Sequence, residues 1–343
     1  LLHWIFSTKG TSMKFLLATV GAIVVLTSGT CAVRSQSFYP ELLEDHAAVY
    51  LDDARFGALG DGVADDTAAL QKAIDAVAAG THQGIVFVPE GRYRISHTIF
   101  VWPGIRVIGF GAKRPMLLLG PNTPGYGGNG PDYMVMFTGG RPGEHRGGPQ
   151  LPPGVRRPEP TPFPGAVPTT AIAIDANPGT FYSAMSNIDF EVGEGNTGAV
   201  GIRFHVAQHC FLSHMDFHIG SGLAALHDIG NEAEDLHLFG GRYGIMTGRP
   251  SPGWQFTLLD SSFEGQREAA IRDHEAGLVL IHDTFRKVPS AVDIEPNAVE
   301  ELWIENSRFE EISGPAIVVS RERSRLTEIN IRNVLCDRVP VFV

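Results

Sequence analysis

Leu258-Leu259-Asp260-Ser261-Ser262-Phe263 is followed 22 residues later by Leu280-Ile281-His282-Asp283-Thr284-Phe285. Each begins with aliphatic residues, passes through polar ones and ends on a phenylalanine. The same pattern stands at Ile188-Asp189-Phe190, Met215-Asp216-Phe217, Leu236 to Phe239, Ile304 to Phe309 and Ile331 to Cys336. Taken in chain order, the steps between landmarks are 27, 22, 24, 22, 24 and 27 residues. Self-similarity at this period means a solenoid, in which a repeat buries its apolar face only by stacking on its neighbours.

Between the landmarks lies a second short element: a small residue, an aliphatic, then something variable. It reads Gly201-Ile202-Arg203, Ala225-Leu226-His227, Gly244-Ile245-Met246, Ala270-Ile271-Arg272, Ala291-Val292-Asp293 and Ala316-Ile317-Val318. Both elements are short, aliphatic and bounded by Gly, Pro, Asn or Ser, so they read as strands. The Leu/Asn spacing of leucine-rich repeats is missing, as are the long 3.6-period stretches of paired-helix repeats. An all-β fold follows, a single-stranded parallel β-helix. The polar residues Asp260, His282, Asn306 and Asn333 recur at one place in the first element, which predicts a structural column at a turn.

The net charge of −11 and pI near 5.6 argue against nucleic acid and anionic membrane surfaces as partners. Residues 1–32 read as an upstream extension and a signal peptide: Met13, Lys14, the apolar run Phe15 to Leu26, and small residues up to Ala32. The mature protein is therefore expected to be secreted or periplasmic, with no membrane contact after signal cleavage. Residues 33–343 form the β-helix domain: a capping segment over 50–80, a Pro/Gly-rich loop over 120–168 and regular rungs over 169–343. Cys210 and Cys336 lie five repeat steps apart, about 24 Å at roughly 4.8 Å per rung, beyond disulfide reach. Both are expected to be free thiols packed as small apolar residues.

Residues 56–80 begin Phe56-Gly57-Ala58-Leu59-Gly60-Asp61-Gly62-Val63-Ala64-Asp65-Asp66. Asp65 or Asp66 can cap a helix with a buried stripe of Leu70, Ile74 and Val77 and a stop at Gly80. Such a helix is a good lid for the open end of a solenoid. This stretch, with Ile85-Val86-Phe87-Val88-Pro89, Gly91 and Tyr93, resembles the N-terminal signature of the pectate-lyase-like superfamily. The resemblance implies a right-handed parallel β-helix with a capping helix. Asn187-Ile188-Asp189-Phe190, Gly198-Ala199-Val200-Gly201-Ile202, Val206-Ala207-Gln208 and Phe239-Gly240-Gly241 with Tyr243-Gly244 are similar to family-55 glycoside hydrolases. That family comprises exo-β-1,3-glucanases built from two tandem β-helices. The similarity corresponds to the first of these, so it implies a second β-helix domain C-terminal to this chain and a general acid located there. The final repeat, ending at Val343, is expected to be truncated.

Residues 120–168 hold 12 of the 23 prolines and 12 glycines, interrupted by the apolar Tyr133 to Phe137. They read as an excursion from one rung, with Tyr126, Tyr133 and Phe163 able to stack on sugar rings.

Side chains alternate inward and outward along a strand, so stacked outward positions form a surface strip. With the second-element aliphatics inward, one outward column is Arg203, His227, Met246, Arg272, Asp293 and Val318. The next is His205, Ile229, Gly248, His274, Glu295 and Ser320. Arg203, His205, Gln208, His227, Arg272, His274, Asp293 and Glu295 are the candidate substrate-binding residues. Asp228 and Asp273 are the candidate catalytic pair. They occupy equivalent places two rungs apart, roughly 9.6 Å, at the edge of the range for inverting glycosidases. Strand parity turns both inward unless the strand ends there. Asp189 with Asp216, and Glu264, are further carboxylates near strand ends. The run His205, His209, His214, His218 scatters across strand and turn, so neither a metal nor another cofactor is expected.

The expected function is hydrolysis of a neutral β-glucan such as β-1,3-glucan, with a polysaccharide as partner and water attacking with inversion. Two alternatives stand beside it. One is a pectin-directed lyase or polygalacturonase, disfavoured because the Asn-Thr-Asp, Asp-Asp, Gly-His-Gly and Arg-Ile-Lys set is missing from the sequence. The other is a non-catalytic carbohydrate-binding or structural half of a larger protein.

Overall fold

The computed structural model describes residues 36–52, 54–141, 176, 179–248, 255–319 and 327–343. The expected signal segment, Phe163 with the rest of residues 142–175, and Ser320 lie outside them. Among the described residues each rung runs along three faces before returning to its start, and every strand pairing is parallel. The first face includes Ala184–Ser186, Phe256–Leu259, Leu278–Ile281 and Glu301–Glu305. The second includes Asp189–Val192, Ser262–Glu264, Thr284–Arg286 and Arg308–Glu310. The third is an eight-stranded sheet of neighbours: Ile99–Val101, Asp132–Phe137, Ala199–Arg203, Ala224–His227, Tyr243–Met246, Ala269–Asp273, Val292–Ile294 and Ile317–Val319. This is the expected parallel β-helix.

The corner between the first two faces explains the polar column. Asp260, His282, Asn306 and Asn333 have φ of 50°, 61°, 54° and 49°, and Asn187, His214 and Asp235 continue the column at 58°, 56° and 51°. A left-handed residue turns the chain sharply, and Asn, Asp and His tolerate that conformation better than aliphatic residues. Neighbours also bond along the stack, as Asn333 Nδ2 donates to Asn306 Oδ1 at 2.6 Å.

Inside the coil, like stacks on like. Phe190 lies on Phe217 at 5.0 Å, Phe263 on Phe285 at 5.0 Å and Phe285 on Phe309 at 5.2 Å, all with nearly parallel rings. Leu238 links the two halves, pairing with Phe217 below and Phe263 above. This corrects the sequence reading, in which Phe239 marked that repeat. Phe239 pairs with His218 and stacks on its ring at 5.0 Å, outside the core. The small residue of the second element now has a cause as well. A Cβ on Gly244 would stand 2.6 Å from the Phe263 ring and 2.7 Å from the Ala270 carbonyl oxygen, so the phenylalanine column needs small residues opposite.

The helix Thr67–Gly80 buries Leu70, Ile74 and Val77 as expected, with Ala69, Ala73 and Ala78. It packs on Gly84–Pro89 and Ile99–Val101 at the start of the coil. Asp65, not the N-cap residue Asp66, accepts the Thr67 N–H at 3.0 Å, while Asp66 accepts from Leu59 and Gly60. Within the Pro/Gly-rich segment, Asp132–Phe137 is a fully paired rung strand, so the excursion is divided around it. Cys210 is buried, but Cys336 is exposed. That too corrects the expectation: Cys336 continues the Phe309 column in the last described rung, and no described strand stacks beyond it.

Phe263→Ala removes a fully buried ring from the middle of the column. It should lower unfolding free energy by about 3–5 kcal/mol in urea titration, whereas Phe239→Ala should cost less than about 1 kcal/mol.

Candidate functional site

The outer side of the third sheet carries a second apolar cluster, separate from the coil interior. Val200, Ala224 and Ala269 are packed there with Met136, Leu223, Tyr133 and Tyr243, and all seven are buried. Beside this cluster runs the outward column read from the sequence, and its register holds: Arg203 pairs with His227, His227 with Met246, Met246 with Arg272, Arg272 with Asp293, and Asp293 with Val318.

Two polar knots interrupt the column. In the first, Arg203 Nε and Nη2 donate to Asp228 Oδ2 at 3.1 and 2.9 Å, and Arg203 is only 3% exposed. His227 Nε2 lies 3.4 Å from Asp228 Oδ1, and its Nδ1 is 2.7 Å from the Tyr133 hydroxyl. Burial pushes the His227 imidazole below its usual range, against the opposing pull of Asp228. His205 Nδ1 approaches Arg203 Nη2 at 3.4 Å. In the second knot, Arg272 donates to Glu295 at 2.9 Å and Asp293 at 3.4 Å, and His274 Nδ1 lies 3.2 Å from Glu295. Tyr243 donates to Glu268 at 2.6 Å, Arg242 donates to the same carboxylate at 2.6 Å, and both guanidinium groups lie over the Tyr243 ring. Desolvation raises Asp293, while the Arg242 hydrogen bond lowers Glu268.

The structure separates the members of the expected carboxylate pair. Asp228 adopts φ of 51°, which ends the strand at His227 and keeps its carboxylate with Arg203 on the outer face. Asp273 stays in its strand, points inward and is fully buried. Its Oδ1 accepts from Thr247 Oγ1 at 2.7 Å. The same turn corrects the second outward column, since Ile229 after Asp228 is fully buried. Asp273 instead neighbours Glu300, whose carboxyl accepts the Ala276 and Leu278 N–H groups and is 1% exposed. Burial first, then contact with Asp273, raises Glu300 to about 10. Glu300 therefore keeps its proton well above the ordinary carboxylate range.

Gln208 lies in the turn after the third-face strand Ala199–Arg203, and its side chain has no hydrogen-bond partner among the described residues. The four histidines of the run go to different neighbours. His205 meets Arg203, His209 stacks on Tyr182, His214 bonds Asp235 at 2.8 Å and His218 stacks on Phe239. Asp189 and Asp216 both pair with the buried Arg114, at 3.2 and 3.1 Å. Glu264 pairs with Arg286 and Lys287. Tyr126 is buried, donating to the Tyr133 carbonyl at 3.0 Å. Sequence reasoning missed the Tyr133–His227 bond, the Asp273–Glu300 pair and Asp235, which His237 and His214 hold down at about 2.

Residues 54–143 match the family described as "Rhamnogalacturonase A/epimerase, pectate lyase-like". A glucan 1,3-beta-glucosidase from Cochliobolus carbonum is 28% identical over 232 residues, covering 59% of this chain and 25% of that protein. Mannuronan C5-epimerase AlgE5 from Azotobacter vinelandii is 67% identical over 42 residues, 12% of this chain and 4% of that protein. Among solved structures, the Dettilon tailspike protein gp208 aligns over 77% of this chain and 44% of its own, with 12% identity and a TM-score of 0.47. The chain thus spans a quarter or less of the length of these two curated relatives.

Glu300 sets a pH dependence with a definite sign. A carboxyl raised on folding binds its proton more tightly in the folded state, so its contribution is full at low pH. It falls as pH climbs above the unfolded value near 4.5 towards the folded value near 10. Urea unfolding of the native protein should lose up to about 1.4 kcal/mol per pH unit from this group. Glu300→Gln should remove that slope at a constant cost, and a native-minus-variant difference that stays flat from about pH 5 to 9 contradicts a raised Glu300.

Proposed function

We propose that this chain, a pectate-lyase-like parallel β-helix by its fold and its matched N-terminal segment, belongs to an exported enzyme of polysaccharide breakdown, a glycoside hydrolase acting on a neutral β-glucan such as β-1,3-glucan. One observation carries the reading. Along the third face runs a row of arginines already matched by carboxylates: Arg203 with Asp228, Arg242 with Glu268, and Arg272 with Asp293 and Glu295. Such a row of paired donors and acceptors suits the hydroxyls of a neutral sugar. A polyuronate would need cationic charge to spare, which these internal pairs consume. The likeness to a glucan 1,3-beta-glucosidase supports the same substrate class.

Asp228 is the carboxylate of the expected pair that stands on this face, and in this reading it supports activation of the attacking water. Arg203, His205, His227, Arg272, His274, Asp293 and Glu295 hold the sugar chain, with Gln208 at the neighbouring turn. A second β-helix supplies the opposite wall and the acid that inversion requires. The full natural protein should release reducing sugar from laminarin, undiminished by a chelator, and give no unsaturated product from polygalacturonate. Asp228→Asn should lower kcat on laminarin by about 100-fold or more. Release of unsaturated uronide, or equal turnover by the variant, overturns the assignment.

A further inference from the structure

We propose that the cleft at the corner between the second and third faces is a saccharide subsite, separate from both knots, that takes a neutral pyranose residue. Residues between Asn122 and Asp132, from the Pro/Gly-rich excursion, line it together with Gly195 of the next rung. Its volume is about 750 Å³, within the roughly 300–1,000 Å³ of ligand clefts. The frame is tied before any ligand arrives. Asn196, fully buried, accepts the Thr123 N–H at 2.8 Å and donates to the Gly120 and Gly193 carbonyls at 2.7 and 2.8 Å. Thr197 Oγ1 shares its proton between the Gly127 and Gly128 carbonyls, at 3.2 and 3.1 Å. Gly198 donates to the Tyr126 carbonyl at 2.9 Å and accepts the Asp132 N–H at 2.8 Å. Glycine leaves room for the polar side chains. A Cβ on Gly195 would stand 2.1 Å from Asn122 Oδ1, and one on Gly198 would stand 2.5 Å from Asp132 Oδ2.

The lining chemistry selects the ligand. Among the described residues that line the cleft, Asp132 is the one charged group. Its carboxylate has no hydrogen-bond or ion-pair partner among the described residues, and partial burial holds it above the ordinary carboxylate range. The side chains of Asn122 and Asn129 are exposed and have no partner among those residues either. The same is true of the N–H groups of Gly125, Gly127, Gly128 and Asn129. A lone carboxylate repels uronates, sulfated sugars and phosphates, and no cation in the lining offsets it. Sugar hydroxyls suit the set: a carboxylate accepts from two at once, while amide and backbone N–H groups donate to hydroxyl and ring oxygens. Asp132 begins the strand whose Met136 pairs with Arg203. The subsite therefore lies four residues, roughly 13 Å, along the third face from the first knot. That the sugar is a glucose unit of a β-1,3-glucan rests on the hydrolase reading above, whereas the preference for a neutral sugar rests on the lining alone.

The experiment is hydrogen exchange in the full natural protein, read on peptides spanning residues 122–131 with and without millimolar laminarihexaose. An Asp228→Asn background keeps the hexaose intact, and each variant is first checked for its native urea midpoint. The hexaose should slow exchange in these peptides by about threefold or more, and trigalacturonate should leave it unchanged. Adding Asp132→Asn should raise the hexaose needed for half-protection by about 10-fold or more, because a charged acceptor is lost. Gly128→Leu, at a position where a Cβ meets nothing within 4 Å, should fill the cleft and abolish protection. Peptides left unprotected, beside a native protein that hydrolyses laminarin, overturn the subsite and leave the hydrolase reading standing. Protection beside a native protein inactive on laminarin sinks that reading and supports the subsite. Equal protection by trigalacturonate, or undiminished protection in Asp132→Asn, overturns the proposal. Should Asp132→Asn misfold, undiminished protection in Gly128→Leu overturns it instead.

Discussion

Every rung is tied to the next by parallel main-chain hydrogen bonding, and the rest of the molecule follows from that one constraint. Once Phe263 is opposite Phe285 and Phe285 opposite Phe309, each neighbouring position is fixed too. Aromatic rings stack at about the rung spacing, and small residues must line the facing wall. Left-handed corner residues fall in a line because a one-residue slip in any rung would turn its side chains over. A coil built this way has little need for sequence identity beyond the columns. That suits a chain whose likeness to a glucosidase is spread thinly over 232 residues.

The same constraint builds the candidate site. Residues far apart in sequence, such as Arg203 and Asp228 on adjacent rungs or Tyr133 and His227 two rungs apart, meet because the rungs stack in order. A flat, twisted sheet alone would offer only alternating side chains. The left-handed turn at Asp228 breaks that alternation and holds a carboxylate outside, whereas Asp273, at the corresponding place two rungs on, remains in the strand and goes in. One backbone angle thus divides two equivalent aspartates between surface chemistry and buried structure.

How much of this was legible beforehand depended on whether the signal was periodic. The aliphatic column Ile202, Leu226, Ile245, Ile271, Val292 and Ile317 was readable because each rung repeats it, and with it the outward column beside it. The capping helix was readable because Leu70, Ile74 and Val77 keep helical spacing. Leu238 and Phe239 were not distinguishable, since two adjacent apolar residues fit either parity. Nor could the fate of Asp228 and Asp273 be read, because Asp is at home both in a left-handed turn and at a strand end. Glu300 gave no periodic signal, and its partner Asp273 comes from the preceding rung. The Tyr133–His227 contact spans 94 residues and depends on the full stacking order.

Register is therefore the claim on which everything stands, and disulfide mapping tests it most directly. In a background with Cys31 and Cys336 replaced by serine, Thr257→Cys/Val279→Cys joins two register partners on adjacent rungs. Their Cα atoms should lie about 5 Å apart, within disulfide reach. This pair should oxidise readily under mild conditions. Thr257→Cys/Ile281→Cys, offset by two residues and about 8 Å apart, should stay reduced. Oxidation of the offset pair in preference to the aligned one would contradict the stacking order from which both the core and the site are built.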